Sequence, residues 1–168
     1  EYVEAAKLLT KKYNNIEFQL LGQVDVSSPT AISSEQMRNW VKEGAINYLG
    51  SSDDVRIEIS KADCIVLPSF YREGTPRILL ESASMEMPII TTDNVGCKDV
   101  VNHGENGYLC EIKNVNDLSS KMDMMFHLSN EERRLMGIAG RKKIVEEFDE
   151  KIVINKYLGA IRDITKGE

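Results

Sequence analysis

The sequence has little of what several common protein classes require. It contains two histidines and three cysteines among 168 residues. None of them stands at the spacing of a zinc site or a C-x-x-C motif, so the cysteines indicate reduced cytoplasmic thiols. No apolar run approaches the roughly 20 residues that cross a bilayer. The net charge of −6 argues against nucleic acid or an anionic membrane as a general partner, because both attract a basic surface.

Two common catalytic motifs are also missing. The sequence has neither a G-x-S-x-G pattern nor a G-x-x-x-x-G-K-[ST] pattern, which excludes the hydrolase nucleophile elbow and the P-loop NTPases. Hydrophobic residues make up 42% and charged residues 29%, which is ordinary for a globular protein of one domain. The chain opens with Glu1 inside what reads as a helix, without an initiator methionine, and we expect a piece of a longer protein.

Strand and helix patterns alternate along the chain. Ser33 with Gln36 and Ser129 with Glu132 are spaced as capping boxes at helix starts, and a short helix is expected at 97–102. A helix from Asp53-Asp54 to Ala62 and a loop at 23–33 complete the first half. Strands are expected at 16–22, 45–49, 64–67, 88–92 and 107–110. This alternation predicts an α/β fold, Rossmann-like, with a parallel sheet and helices on both faces.

The most informative segment joins a buried strand to a helix through a tight turn. The apolar run Cys64–Leu67 suits a strand that is covered on both faces. Gly74 gives the turn an unhindered backbone, and Pro76 is expected at the first helical position, where its missing N–H is no loss. The first turn of such a helix is a binding site for phosphate or diphosphate. Two glutamates, Glu73 and Glu81, flank this turn.

The spacing of the glutamates is not specific by itself, since Glu35 and Glu43 have the same separation without a strand or a glycine turn. The ordered context of strand, turn, apolar helix and following strand is more specific. The block resembles the donor-binding half of retaining nucleotide-sugar glycosyltransferases of family 4. The stretches 96–101 and 104–109 resemble the family's downstream helix and its DGxNGxL turn, with His103 where the family has aspartate.

The resemblance implies two Rossmann-like domains that face each other across a cleft. Residues 1–168 would form the C-terminal, donor-binding domain. The N-terminal acceptor domain would be absent, as would the first strand of this domain and the arginine and lysine that hold the diphosphate. The donor implied is a UDP-sugar, bound without a metal and transferred with retention to a polysaccharide or lipid-linked acceptor in a bacterium. Peripheral attachment of the full-length enzyme to a membrane stays open.

By the same resemblance, Glu73 is the catalytic-site residue that contacts the donor sugar, and Glu81 holds the ribose. The structural alternatives are a helix-capping acid for Glu73 and a solvated helix residue for Glu81. Because Pro76 cannot donate an N–H, the phosphate contacts are expected from the backbone beyond Gly74, at Thr75, Arg77 and Ile78.

The loop that follows the strand at 45–49 is a further candidate. Ser52 and Asp54 lie where open α/β sheets bind ligands, and the resemblance assigns this loop to the nucleotide base. Asp54 could equally be a helix cap. Two other functions stay open for the whole chain: a nucleotide-sugar epimerase of the same fold and a non-catalytic polysaccharide-assembly domain.

Overall fold

The computed structural model describes residues 1–24, 31–71 and 74–165. Helices and strands alternate up to residue 92, as the sequence predicts, after which a fifth strand is followed by three helices. In chain order the elements are α1 (Tyr2–Thr10), β1 (Gln19–Leu21), α2 (Ser34–Lys42), β2 (Asn47–Gly50), α3 (Arg56–Ile59), β3 (Ile65–Leu67), α4 (Arg77–Ser84), β4 (Ile89–Thr92), β5 (Gly107–Cys110), α5 (Val115–His127), α6 (Asn130–Glu147) and α7 (Glu150–Thr165).

The strands form two parallel sheets. One consists of β1 and β2, and the other has the order β3-β4-β5. Ile89 in the central strand β4 pairs with Ile65 of β3 and with Gly107 of β5. All four residues of β4 are buried, whereas the three of β3 are only half-buried. Val66 and Leu67 pack against the two different hydrophobic clusters, so both faces of β3 are covered, and its partial exposure goes with its position at the edge of the described sheet.

Helices cover both faces of the β3-β4-β5 sheet. Alternate residues of a strand point to opposite faces, and Ile90 packs with the core of α1 and α5, whereas Ile89 packs with Leu79 and Ala83 of α4. The parallel sheet with helices on both faces is confirmed.

The first core is shared by the two sheets. It includes Phe18 and Ile46 from the segments of β1 and β2, together with Ile90 and Tyr108 from β4 and β5. At the start of α1, the Tyr2 hydroxyl donates a 2.9 Å hydrogen bond to the carbonyl oxygen of Gln19 in β1. The two sheets thus belong to one hydrophobic unit, although the described residues contain no strand that pairs with both.

Polar contacts add to the packing of α1 against α5. Where the chain leaves α1, the Tyr13 hydroxyl donates to the Asp123 carboxylate at 2.7 Å. The Lys12 ammonium approaches the same carboxylate to 2.9 Å. These contacts link residues that are far apart in the sequence.

Local signals at helix starts are confirmed. The Ser129 hydroxyl accepts from the Glu132 N–H at 3.2 Å, and the Glu132 carboxylate accepts from the Ser129 N–H at 2.7 Å, which completes a capping box for α6. Ser33 accepts from the Gln36 N–H at 3.1 Å and caps α2.

Two helix predictions are wrong in extent or type. Residues 97–100 form turns and 101–102 have no regular structure, because the Asn94 and Asp99 side chains accept the N–H groups of Val95 and Gly96, and because Gly96 has a left-handed φ of 84°. The helix expected to reach Ala62 is the single turn α3. Two strands are shifted or shortened, at 19–21 and 47–50. Of the predicted loop at 23–33, residues 25–30 lie outside the described residues.

Helix α6 approaches the end of α4 closely. A Cβ atom built on Gly137 would lie 2.5 Å from the carbonyl carbon of Glu86 and closer still to its oxygen. Glu86 itself has a left-handed φ of 60°, which is uncommon for a residue other than glycine. The Arg141 guanidinium donates to the Ser84 carbonyl of α4. Helix α6 therefore fixes the position of α4, the helix that begins at the predicted phosphate turn.

Candidate functional site

The predicted site residues lie at the carboxyl edge of the sheets. Ser52 and Asp54 follow the end of β2 at Gly50, and the segment from Gly74 to Glu81 follows β3. The two segments are neighbours in space, because α3, which begins just after Asp54, packs against α4. Ligands of open α/β folds bind at this edge. The structure thus brings the predicted base loop and the predicted phosphate turn together.

Helix α4 begins one residue later than expected. Pro76 is its N-cap, with extended backbone angles of −62° and 127°, and Arg77 is the first helical residue. The Pro76 carbonyl already accepts from the Leu79 N–H at 3.0 Å and lies 3.5 Å from the Leu80 nitrogen. The first N–H groups of a helix have no partner within it. Those of Arg77 and Ile78 are therefore the helical donors at this turn.

Glu81 lies one helical turn beyond Arg77, on the same side of α4. The Arg77 guanidinium approaches the Glu81 carboxylate to 3.2 Å, and the arginine side chain is 90% exposed, against 35% for the glutamate. An ion pair this exposed contributes little to stability. Arg77 can therefore leave Glu81 at small cost, and both groups can turn to a polyhydroxylated, anionic ligand.

The catalytic assignment of Glu73 remains a prediction, because Arg72 and Glu73 lie outside the described residues. The neighbouring Gly74 is exposed, and its φ lies outside the left-handed range. A Cβ there would meet no described atom within 4 Å. The described chain itself therefore does not require glycine at 74, and the small residue leaves space in front of the turn.

Asp54 is engaged by the start of α3. Its carboxylate accepts from the Arg56 N–H at 3.1 Å and from the Arg56 guanidinium at 2.7 Å through each of two nitrogens. These hydrogen bonds hold the pKa of Asp54 below its usual value. The Ser52 hydroxyl donates to the Asp54 carbonyl at 2.9 Å. Both side chains thus shape the loop, in line with the structural alternative for Asp54, and base recognition stays a prediction.

Three buried polar residues hold the site loop, a role that was missed from the sequence. The Thr91 hydroxyl donates to the Leu67 carbonyl at 2.8 Å, Thr92 donates to the Ser69 carbonyl, and the Asn94 amide donates to the Tyr71 carbonyl at 2.8 Å. The end of β4 therefore fixes the chain that leads into residues 72–75. The signal was present as a run of threonine and asparagine at the end of an apolar strand, but their partners are not local.

An aromatic cluster beside the same loop was also missed. The rings of Phe70 and Tyr71 stack with centroids 4.2 Å apart, and the Lys113 ammonium lies 4.3 Å from the Phe70 centroid. Phe70 is 37% and Tyr71 48% exposed. Lys113 follows β5 and has a left-handed φ of 57°. We call Phe70, Tyr71 and Lys113 the aromatic stack.

A surface cavity elsewhere is not the predicted site. It has a volume of about 450 Å³ and is lined by Lys7, Thr10, Lys11 and residues 43–45. These last residues precede β2, so the cavity lies at the amino end of that strand, whereas the site follows its carboxyl end. The Lys7 ammonium and the Glu43 carboxylate form a 2.8 Å ion pair there.

The described residues contain neither a metal-binding cluster nor a membrane-spanning helix. No group of three or more histidine, cysteine, aspartate or glutamate side chains could hold a metal ion in residues 1–24, 31–71 and 74–165. Across the same part of the chain, no helix is both long enough and apolar enough to span a membrane.

Known proteins are similar to this chain in sequence and in fold. The chain is 32% identical over 158 residues to the N,N'-diacetylbacillosaminyl-diphospho-undecaprenol alpha-1,3-N-acetylgalactosaminyltransferase of Campylobacter jejuni. This match covers 94% of the chain and 39% of the relative.

Two solved structures show the same fold. A glycosyltransferase from Rickettsia africae superposes with a TM-score of 0.82 at 21% identity and covers 99% of this chain and 45% of its own. Anabaena HepE in complex with UDP superposes with a TM-score of 0.80 at 15% identity and covers 95% of this chain and 44% of its own.

The model of the family described as glycosyl transferases group 1 matches residues 1–143. This match includes both segments of the predicted site and the whole of the strand-bearing part of the fold. The epimerase alternative is not favoured, since the family and the named relative are transferases. The chain belongs to the glycosyl transferases group 1 family.

Proposed function

We propose that this chain is the donor-binding domain of a retaining glycosyltransferase and that its ligand is a nucleotide diphosphate sugar, with uridine as the nucleoside. The observation that carries this proposal is the position of the α4 N-terminus, next to the loop after β2 and at the carboxyl edge of the sheets. A helix N-terminus offers N–H donors and a positive dipole end to a diphosphate. Family membership supports the same ligand class.

In this proposal each group of site residues binds a different part of the donor. The N–H groups of Thr75, Arg77 and Ile78 face the diphosphate and stabilise the charge that develops when it leaves. Glu81 accepts the ribose hydroxyls, and Glu73 orients the sugar. The loop around Ser52 and Asp54 reads the base through its backbone, because both side chains are already used within the loop.

The donor would bind without a divalent metal. The charges that a cation would neutralise are met in this proposal by the helix N-terminus and by Arg77, whose side chain is exposed beside it. We also place the protein in the cytoplasm, where cysteines stay reduced, since all three of its thiols are unpaired in the described chain.

The rest of the enzyme would supply the acceptor. The chain spans 39% of the length of its Campylobacter relative. We propose that an N-terminal domain completes the cleft and that one further parallel strand lies between β1 and β3, which share a core but not a sheet. The name of the Campylobacter relative supports a lipid-linked acceptor. A polysaccharide acceptor fits another relative, a capsular polysaccharide biosynthesis glycosyltransferase of Staphylococcus aureus. Catalysis needs donor and acceptor held together, so this chain alone should not transfer sugar.

The proposal is tested by titrating the chain with UDP in a calorimeter, in the presence of a chelator. Glu81→Ala should weaken binding by about 1.5–3 kcal/mol, the scale for losing a hydrogen bond to a charged group. The matched control is Glu147→Ala, which removes a helical glutamate that is also paired four residues back, with Lys143 at 2.8 Å. It should leave the affinity unchanged.

Three results would count against the proposal. Equal affinities of the wild type and Glu81→Ala would remove the ribose assignment. Binding that appears only after magnesium or manganese is added would reject the metal-free site, and no binding in either case would reject donor binding itself.

A further inference from the structure

The aromatic stack is a layered arrangement that the fold alone does not require. Lys113 covers the Phe70 ring, and Phe70 in turn stacks on Tyr71. The two rings are 37% and 48% exposed, so they do not serve as core. Lys113 holds its place with a left-handed backbone, and such outliers concentrate at functional sites. Together these observations call for a role at the surface.

The stack lies at one end of the predicted site. Phe70 and Tyr71 follow β3, and Lys113 follows β5. The Tyr71 carbonyl accepts a hydrogen bond from the Asn94 amide at the end of β4. The base loop follows β2, a strand of the other sheet, and leads into α3, which packs against α4. The N-terminus of α4 therefore lies between the base loop and the stack, which precedes it on the loop after β3. A nucleotide diphosphate sugar with its base at the loop and its phosphates at α4 would therefore direct its sugar towards the stack.

We propose that Tyr71, backed by Phe70 and Lys113, is the platform on which the pyranose ring of the donor sugar stacks. The inference rests on the proposed function and adds to it a residue that binds the sugar. A pyranose has an apolar face of C–H groups, which packs against an aromatic ring while its hydroxyls stay available to polar groups. Tyr71 is two residues from Glu73, the residue proposed to bind those hydroxyls. The stack thus supplies the apolar contact that a carboxylate cannot.

The layering gives each member a physical part. An exposed aromatic side chain that changes rotamer in the free protein binds a ligand more weakly, because fixing it in one rotamer on binding costs conformational entropy. Phe70 restricts Tyr71 by stacking, and the ammonium over Phe70 restricts Phe70 in turn. The Asn94 amide fixes the backbone beneath. The platform is therefore preorganised, and its effect should appear in the affinity for the sugar and not for the nucleotide.

The test compares UDP with UDP-N-acetylglucosamine and UDP-N-acetylgalactosamine by calorimetric titration of the chain. Tyr71→Ala should weaken binding of at least one sugar nucleotide about three- to tenfold, the scale of an aromatic stacking contact, and leave UDP unchanged within about twofold. Tyr71→Phe keeps the ring and should keep the affinity. Tyr71→Leu keeps apolar bulk without the ring and should lose it as Tyr71→Ala does. The matched control is Tyr157→Ala, which removes another exposed tyrosine, 69% exposed on α7.

The outcomes separate the two proposals. If the wild type binds UDP but Tyr71→Ala binds the sugar nucleotides as tightly as the wild type does, the platform is refuted and the donor site stands. If Tyr71→Ala weakens UDP as much as its sugar conjugates, Tyr71 supports the nucleotide site and not the sugar, which also refutes the platform. If the wild type binds none of the three ligands, both proposals fail.

Discussion

Gly137 should be the glycine whose replacement reveals how α4 is positioned. Gly137→Ala places a Cβ atom 2.5 Å from the carbonyl carbon of Glu86, and the atom cannot be accommodated by a rotamer change because its neighbour is backbone. Either α6 moves away from α4 or the turn at Glu86 shifts. That turn is already in a left-handed conformation with a φ of 60°, so it has little freedom to yield.

The magnitude follows from two opposed effects. Alanine is favoured over glycine inside a helix by about 0.5–1 kcal/mol. Overpacking a close contact costs about 1–3 kcal/mol, and contact with a carbonyl belongs in the upper part of that range. The difference leaves Gly137→Ala about 1–2 kcal/mol less stable than the wild type.

Urea unfolding measures this difference directly, and Gly140 provides the control on the same helix. A Cβ at Gly140 would meet its nearest neighbours, which include the Ala83 Cβ, at 3.7 Å, an ordinary contact distance. Gly140→Ala should therefore show only the helix gain, about 0.5–1 kcal/mol of added stability. If Gly137→Ala is as stable as the wild type or more stable, the close approach of α6 to α4 does not exist in solution.

Two further predictions concern titratable groups. Burial raises the pKa of the Cys64 thiol to about 12 and that of the Cys110 thiol to about 11. Both thiols should therefore react slowly with Ellman's reagent at about pH 8 in the folded protein and quickly after denaturation. Fast labelling of either thiol in the native state would contradict this. Hydrogen bonds from the Tyr13 hydroxyl and, to a smaller extent, from Lys12 lower the pKa of Asp123 in the folded protein. The ionised Asp123 carboxylate therefore stabilises the fold above its unfolded-state pKa, and this stabilisation is lost as the pH falls through its folded-state pKa. Asp123→Asn should therefore be less stable than the wild type at neutral pH, and a difference that persists unchanged in strong acid would show that the charge is not the cause.

The features that sequence predicted well are local ones. The capping boxes depend on residues three apart, and the start of α6 at Ser129 follows from that spacing alone. The turn before α4 was placed within one residue, because proline fixes its own φ wherever it stands. Strand β4, expected at 88–92, is found at Ile89–Thr92, directly after Pro88.

The errors arise where distant residues decide. Residues 97–102 have residue types that a helix tolerates, but Asn94 and Asp99 accept the N–H groups of Val95 and Gly96 just before them, and Gly96 turns the chain. The position of β3 at the edge of the described sheet depends on which strands lie beside it, which its own sequence does not encode.

The candidate site shows the same limit. Its phosphate turn was found from the sequence, whereas the support from Thr91, Thr92 and Asn94 and the stacking of Lys113 over Phe70 join residues more than 20 positions apart. Contacts of this kind leave no local pattern that could be read in advance.

The separation of the sheets has a consequence for handling the protein. In a parallel ladder, backbone groups alternate in direction, and in β1 those of Phe18 and Gly22 already pair with β2. The groups of Gln19 and Leu21 between them therefore face the other side, which no described strand covers. Bare strand edges invite pairing with a second chain and then precipitation. The Tyr2 hydroxyl occupies the Gln19 carbonyl and removes one acceptor from that edge, so Tyr2→Phe should make concentrated solutions of this chain aggregate sooner, an effect visible by light scattering.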